Sequence, residues 1–261
     1  MQAKKSLGQN FLKNDTIIQK IVSLFMPKEN DLIIEIGPGR GALTKKLCNL
    51  SSKLICIEID KDMHEYLDIL ESDKCHIIYD DILNANLNDI LKNYTYDNLY
   101  VIGNLPYYIT SPIITYLINN NIDIKEMVFM VQNELADRFC SMPGNREYGY
   151  ITLFISYYYD VKKEIFVSKD NFNPIPKVDS AVIKLTKKDI NYKIDESKYF
   201  AFLKEAFQHK RKTLKNNLKN YDFNIINEVL LNNNLDEKVR PEDISQEVFL
   251  QIFNRLMGKN N

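Results

Sequence analysis

Leu32-Ile33-Ile34-Glu35-Ile36 leads directly into the turn Gly37-Pro38-Gly39-Arg40-Gly41, and this stretch decides the fold class. Its first half is a short run of large apolar residues around one carboxylate, which predicts a buried strand. Apolar residues at helical spacing follow over residues 42–49. Glycines between a strand and a helix let the backbone approach a ligand closely, at φ values that other residues resist. Gly37 and Gly39 are therefore candidate contacts of a bound cofactor.

Strand and helix patterns alternate from residue 31 to about residue 131. Candidate strands cover residues 32–36, 53–59, 76–79, 99–102 and 127–131, and helical patterns include 42–49 and 61–70. Regular alternation of this kind predicts a doubly wound, parallel sheet with right-handed crossovers. Ligands of such sheets bind beyond the carboxyl ends of the strands, so the residues that follow each strand are the first candidates for a site.

The pattern changes after residue 148. Two β-rich runs, 161–167 and 181–185, are separated by a proline-containing loop, and they predict an antiparallel hairpin that closes the sheet. Beyond residue 188 the strand signal stops, and residues 198–219, 223–231 and 246–257 have helical spacing. We therefore expect an α/β, Rossmann-like domain over residues 1–188 and a small all-α domain over residues 189–261.

Composition narrows the classes of partner and cofactor. The 261 residues carry 34 Lys and Arg against 35 Asp and Glu, so a polyanionic partner would have to be held by a local basic cluster. Four single cysteines and three histidines show no metal-ligand spacing, and we expect no metal. No stretch approaches the roughly 18 apolar residues of a membrane span, and the first residues lack the apolar core of a signal peptide. We expect a cytoplasmic protein that does not act on membranes.

A second carboxylate follows the next predicted strand, in Ile57-Glu58-Ile59-Asp60. At that position it can accept hydrogen bonds from both hydroxyls of a ribose, which indicates an adenosine-containing cofactor. The order Gly37-Pro38-Gly39-Arg40-Gly41-Ala42 also satisfies a loose dinucleotide fingerprint, and a purely structural glycine turn is a third interpretation. Asp81, after the third strand, can bind the amino group of the cofactor's adenine or cap a turn.

Asn104-Leu105-Pro106-Tyr107-Tyr108 follows the fourth predicted strand and suits transfer of a methyl group to an amino nitrogen. The lone pair of an adenine N6 is conjugated into the ring and is a poor nucleophile. The side-chain carbonyl of Asn104 and the backbone carbonyl of Leu105 can accept its two N–H bonds, which frees the lone pair for in-line attack. Pro106 stiffens the turn, and Tyr107 offers a ring face for stacking, worth about 1–3 kcal/mol per base. The alternative is an ordinary β-turn with a core tyrosine.

Taken together, these motifs resemble the KsgA family of ribosomal RNA adenine dimethyltransferases. The resemblance covers essentially the whole chain and rests on Gln9-Asn10-Phe11-Leu12, residues 35–41, Glu58-Ile59-Asp60, Asp81-Ile82-Leu83, residues 104–112 (NLPYYITSP), residues 172–182 (FNPIPKVDSAV), Lys210-Arg211-Lys212-Thr213-Leu214 and Arg240-Pro241-Glu242. It implies a class I methyltransferase domain, S-adenosylmethionine as methyl donor, and dimethylation of two adjacent adenines near the 3′ end of small-subunit rRNA. It also implies that the residues at the cofactor are Asn10, Leu12, Gly37, Glu58, Asp81 and Asn104.

Phe172 has two interpretations. A proline-containing loop often holds a buried Phe, which would make this residue part of the core. The resemblance instead implies that Phe172 packs against the face of the extruded adenine opposite Tyr107, so that the two rings form a sandwich around the base.

A basic run lies in the predicted helical domain, where only Glu205 offsets Lys204, Lys210, Arg211, Lys212, Lys215 and Lys219. A solvated helix face is the usual explanation of such a run. The resemblance favours contacts of Lys210, Arg211 and Lys212 with rRNA phosphates, which position an RNA without reading its sequence. It implies small-subunit rRNA in an immature ribosomal subunit as the partner, and we expect the protein to be a monomer.

Three other functions compete with this interpretation. A macrolide-resistance type of 23S rRNA adenine methyltransferase shares the fold and the chemistry, but Pro38, Leu105 and Asp179-Ser180-Ala181 look like the small-subunit enzymes. A non-enzymatic RNA-binding factor, such as a mitochondrial transcription factor derived from this fold, would not need Glu58, Asn104 and Tyr107. An NAD-dependent dehydrogenase would have no evident use for the turn at residues 104–108.

Overall fold

A computed structural model describes residues 4, 7–190 and 192–258, which form two compact units. The first unit comprises Met1–Ala136 and Asp160–Lys187, and the second comprises Asp137–Tyr159 and Lys188–Asn261. These units divide the tail between Lys187 and Lys188, one residue before the expected boundary at 188 and 189, and they group residues 137–159 with the tail. Nine residues of this segment form an apolar helix (Tyr150–Tyr158) whose Phe154 and Tyr157 lie 5.0 and 5.2 Å from the ring of Phe200, so the segment belongs with the tail helices.

The first unit is built on a seven-stranded sheet. In chain order its strands are β2 (Leu32–Ile36), β3 (Lys53–Ile57), β4 (Cys75–Ile78), β5 (Leu99–Asn104), β6 (Ile124–Gln132), β7 (Tyr159–Val167) and β9 (Ser180–Lys187). Two further strands of two residues each, β1 (Phe11–Leu12) and β8 (Phe172–Asn173), pair with one another outside this sheet. The five predicted parallel strands are confirmed, and β9 and β7 are neighbours at one edge of the sheet. The predicted α/β class is also confirmed.

The order of strands is β4-β3-β2-β5-β6-β9-β7. The pairs from β4 to β6 are parallel, and β9 runs antiparallel to β6. The chain therefore moves outward from β2 to β3 and β4 on one side, and then returns to place β5 on the other side of β2. A crevice opens at such a reversal, beyond the carboxyl end of the central strand. In this chain that end is the turn after Ile36.

The sheet carries a continuous apolar core because its central strands are covered on both faces. All five residues of β2 are buried, including the carboxylate of Glu35. The helices of the first unit are α1 (Asp15–Val22), α2 (Thr44–Leu47), α3 (His64–Leu67), α4 (Leu87–Leu91), α5 (Thr110–Asn119) and most of α6 (Asn133–Phe139). Runs of apolar residues without alternation are typical of parallel strands buried in this way.

The second unit is helical and consists of α7 (Tyr150–Tyr158), α8 (Glu196–Ala206), α9 (Leu214–Asn217), α10 (Phe223–Asn232) and α11 (Gln246–Leu256). The single helix predicted over residues 198–219 is wrong, because α8 ends at Ala206 and α9 starts anew at Leu214, with Thr213 as its N-cap. The Thr213 hydroxyl accepts a hydrogen bond from the Asn216 N–H at 3.4 Å and caps the new helix. Within the described ranges, none of the helices has the length and apolarity needed to span a membrane.

Candidate active site

The glycine turn after β2 lies at the crevice that the strand order creates. Gly37, Gly39 and Gly41 adopt φ values of 66°, 56° and 75°, a left-handed region that residues with a side chain avoid. A Cβ atom on Gly39 would lie 3.0 Å from Cε1 of Phe11, which is too close for an ordinary contact. The turn therefore requires glycine both for its conformation and for the approach of Phe11.

A cavity of about 250 Å³ lies beside this turn. Its walls come from residues 7–13, the glycine turn, the ends of β2 and β3, the turn after β5, Met130 and Asn173. Six of the seven residues predicted to hold the cofactor line it: Asn10, Leu12, Gly37, Gly39, Glu58 and Asn104. Asp81 is the predicted cofactor residue that does not line the cavity.

Glu58 follows β3 and is only 4% exposed. Its Oε2 accepts the N–H of Gly39 and its Oε1 accepts the N–H of Asp60, each at 2.8 Å. Burial raises the pKa of this carboxyl group, and the two backbone hydrogen bonds oppose that rise. The carboxylate therefore ties the glycine turn to the end of β3. The next residue, Ile59, lines the cavity and keeps 47% of its surface exposed.

Glu35 also lines the cavity, although the sequence interpretation gave it no role of its own. Its side chain is 1% exposed, and its Oε2 accepts a hydrogen bond from the Cys56 thiol at 3.6 Å. Burial raises the pKa of this carboxyl group to about 8, so Glu35 is protonated at neutral pH. The signal in the sequence was a carboxylate inside an otherwise apolar strand.

The turn after β5 presents Asn104 to the same cavity. Its Nδ2 donates to the carbonyl of Asn10 at 2.9 Å, which fixes the orientation of the amide and leaves Oδ1 as an acceptor. The Leu105 N–H donates to the Met130 carbonyl at 3.1 Å, while the Leu105 side chain is buried. Pro106 accepts hydrogen bonds from the next turn through its carbonyl, so the whole segment is held rigidly at the end of β5.

Tyr107 lines the cavity with its ring half-buried, and its hydroxyl lies 2.8 Å from the hydroxyl of Ser180. Burial raises the pKa of the Tyr107 hydroxyl, which therefore keeps its proton at neutral pH. Tyr108 is 60% exposed and lies against Gly8, where an added Cβ would be 3.3 Å from the tyrosine ring.

The N-terminal segment closes one side of the cavity. Gln9 donates to Asp60 at 2.7 Å, and Lys4 forms an ion pair with the same carboxylate at 2.6 Å. The guanidinium of Arg40 lies 4.4 Å from the centre of the Phe11 ring. Asn10 and Leu12 thus line the same cavity as the glycine turn and Glu58.

Phe172 and Asp81 lie elsewhere than the other predicted residues. The Phe172 ring is 1% exposed, is paired with Leu12 in the register of β1 and β8, and does not line the cavity. This placement matches the interpretation of Phe172 as a core residue. The carboxylate of Asp81 accepts the N–H of Leu83 at 3.0 Å and the amide of Asn84 at 3.1 Å, as a turn-capping residue does. Their proposed functional roles stay predictions.

The basic residues Lys210, Arg211 and Lys212 belong to the second unit. They are exposed and lie in the turn between α8 and α9, not on a helix face. These three residues therefore do not form a helix face, whereas Lys204 and Lys215 are exposed on α8 and α9; the phosphate contact stays a prediction. Three exposed cations in a short turn form a compact positive surface.

Comparisons with known proteins agree with the geometry of the first unit. The sequence model of the ribosomal RNA adenine dimethylase family matches residues 1–257. Proteins named ribosomal RNA small subunit methyltransferase A from Mycoplasmopsis pulmonis and Mesoplasma florum are 42% and 39% identical to this chain. The first alignment covers 97% of this chain and 98% of the relative, and the second covers 98% of each.

Two solved structures share the architecture. A dimethyladenosine transferase from Plasmodium falciparum has a TM-score of 0.80 at 27% identity, over 95% of this chain and 98% of that one. The 23S rRNA methyltransferase ErmE has a TM-score of 0.75 at 21% identity, over 95% and 100%, and it shows the fold alone. On the match of nearly the whole sequence and on its full-length relatives, the chain belongs to the ribosomal RNA adenine dimethylase family.

Proposed function

We propose that the cavity of the first unit binds S-adenosylmethionine and that the turn at residues 104–107 presents the target adenine to it. The activity of the chain is S-adenosylmethionine-dependent dimethylation of adenine in small-subunit rRNA. The finer assignment is that the targets are two adjacent adenines near the 3′ end of that rRNA, in a subunit that is still maturing.

The residues present fit an adenosine-containing methyl donor. The Glu58 carboxylate offers about four acceptor positions, and the backbone uses two of them. The remaining acceptor capacity can take the hydroxyls of a ribose. Ile59, exposed at 47%, offers an apolar surface for a flat base beside that carboxylate. Asp81 would accept the amino group of that base only if its side chain left the turn that it caps.

The observation that carries the proposed chemistry is the orientation of the Asn104 amide. Because Nδ2 donates to Asn10, Oδ1 is left to accept an N–H of the target amino group. Among the described residues no backbone N–H outside the helices and strands bonds to the Leu105 carbonyl, which can take the second N–H. S-adenosylmethionine supplies a methyl group that its sulfonium already activates. The protein contributes orientation and two acceptors placed where positive charge develops on the nitrogen.

We expect Asn104→Ala to lower kcat by roughly 10- to 150-fold, the equivalent of about 1.5–3 kcal/mol for a hydrogen bond to a charged group. The interaction strengthens as the nitrogen becomes pyramidal, so the loss should fall on kcat and not on RNA affinity. The measurement is single-turnover methylation of small-subunit rRNA at saturating RNA and cofactor. Asn120→Ala is a matched control, since the Asn120 amide only caps its own helix by donating to Tyr116. An unchanged kcat in Asn104→Ala would remove this turn from the mechanism.

The remaining assignments complete the proposal. Tyr107 stacks on the extruded adenine, and Phe172 would form the opposite face of the sandwich if its buried ring became accessible. The first unit carries out methyl transfer, and the second unit holds rRNA phosphates through Lys210, Arg211 and Lys212. The boundary that the sequence predicted for these two roles, 1–188 and 189–261, then shifts to include residues 137–159 in the RNA-binding unit. We also propose that the protein acts as a monomer in the cytoplasm.

A further inference from the structure

The hydroxyl of Tyr107 ends against a buried side chain, not against solvent. Ser180, whose Oγ lies 2.8 Å from it, is the first residue of β9 and has no exposed surface. In the sheet it is paired with Gln132, the last residue of β6. One polar contact therefore connects the tip of a cavity-lining ring to the interior of the sheet.

Ser180 is itself held in place by the residue before it. The carbonyl of Asp179 accepts the N–H of Asn133 at 3.0 Å, and its carboxylate accepts the N–H of Lys169 at 2.9 Å. The backbone at the start of β9 is thus bonded both to the chain after β6 and to the chain after β7. A hydroxyl on such a backbone is a fixed point, so it can set the position of a partner that would otherwise move.

We propose that Ser180 is a positioning residue for the target base, because its hydroxyl fixes the axis of the Tyr107 ring. This inference rests on the proposed stacking role of Tyr107. The Tyr107 side chain is attached to the backbone at Cβ. A hydrogen bond at its hydroxyl adds a second fixed point, which restricts the side chain to one orientation. A ring that is already held in the stacking orientation loses no further conformational entropy when the base binds, and this favours binding. Dimethylation requires this preorganised ring for each of two methyl transfers, because the same nitrogen must be presented to the methyl donor twice.

The test compares Ser180→Ala, Tyr107→Phe and the double variant in single-turnover methylation over a range of RNA concentrations. Each single variant should lower kcat/KM for RNA by about 3- to 10-fold, the usual effect of one hydrogen bond. The loss should fall on KM, since stacking helps the ground state and the transition state alike. The double variant should lose no more than either single variant, because both changes remove the same contact. The fraction of product left as monomethyladenosine should rise, and affinity for S-adenosylmethionine should stay unchanged.

Ser52→Ala is the matched control, because Ser52 is also a buried serine of the first unit. Ser52 precedes β3 and therefore lies at the opposite end of the sheet from the cavity. If Ser180→Ala lowers the melting temperature but leaves KM and the product ratio at wild-type values, the residue only fills the core and the inference is overturned. Additive losses in the double variant would also overturn it. Should Ser180→Ala not fold, Tyr107→Phe alone carries the test, and an unchanged KM there counts against the inference.

Tyr107→Ala separates this inference from the proposed function. Full activity in Tyr107→Ala would refute the stacking role and the inference with it. A severe loss in Tyr107→Ala, together with wild-type behaviour of Ser180→Ala and Tyr107→Phe, would leave the stacking role intact and overturn only the positioning role of Ser180.

Discussion

Glu35 makes the stability of the protein depend on pH in a direction opposite to that of most carboxylates. Burial holds its pKa at about 8 in the folded chain, against 4.5 for an ordinary Glu. Between these two values the folded protein carries one proton more than the unfolded chain. The free energy of unfolding therefore falls as the pH rises through this interval, by up to about 1.4 kcal/mol per pH unit.

Replacement of Glu35 by Gln removes the ionisable group and keeps a neutral side chain of the same shape. Between pH 5.5 and 7.5, the free energy of unfolding of the wild type should fall by roughly 3 kcal/mol relative to that of Glu35→Gln. Urea unfolding followed by circular dichroism at pH 5.5, 6.5 and 7.5 measures both. Glu65→Gln, at an exposed position of α3, makes the same chemical change without burial, and its values should run parallel to the wild type. A constant difference between wild type and Glu35→Gln across this range would refute the reasoning.

Three further expectations concern the cofactor, the base and the RNA. Glu58→Gln should weaken S-adenosylmethionine binding by about 1.5–3 kcal/mol in calorimetry. The reason is that an amide has one acceptor oxygen, whereas the carboxylate accepts hydrogen bonds through both of its oxygens. Tight binding of NAD in place of S-adenosylmethionine would contradict the cofactor assignment. Phe172→Leu keeps an apolar side chain in the core and should lower the free energy of unfolding by only on the order of 1 kcal/mol. The folded variant can therefore be assayed: a raised KM for RNA would support the base sandwich, and an unchanged KM would assign Phe172 to the core. Triple replacement of Lys210, Arg211 and Lys212 by Ala should flatten the salt dependence of RNA binding by roughly 0.7–0.9 slope units per lost phosphate contact, and an unchanged slope would leave these residues without a role in RNA binding.

The parallel sheet could be predicted because each of its central strands is a separate apolar run with a helical pattern after it. The same logic located the glycine turn, Glu58 and Asn104, since residues that follow parallel strands meet at one edge. α7 was missed because Tyr150–Tyr158 is apolar on nearly every side and shows no helical period. The break between α8 and α9 was missed for the opposite reason, because the polar residues 208–213 do not interrupt a helical pattern.

The pairing of β1 with β8 lies beyond what a local pattern can predict. Each strand has two residues, and the partners are about 160 positions apart in the chain, with Leu12 opposite Phe172. This pairing buries both side chains, so the sequence showed an aromatic residue in a loop but not the direction in which its ring points. The same limit applies to Ser180, because its contact with Tyr107 joins two strand ends through side chains alone.

The hydrogen bond from Asn104 to Asn10 links the two halves of the site in a single contact. It joins the N-terminal segment to the turn after β5, and it decides which end of the Asn104 amide would remain for the proposed target base. If residues 7–13 moved away, the amide would lose its partner and could turn its NH₂ group toward the base, which offers donors of its own. In the proposed mechanism, the Oδ1 atom of Asn104 would therefore face the target amino group only while residues 7–13 line the cavity. Under the proposed function, one amide would thus connect the wall of the cofactor cavity to the presentation of the target base.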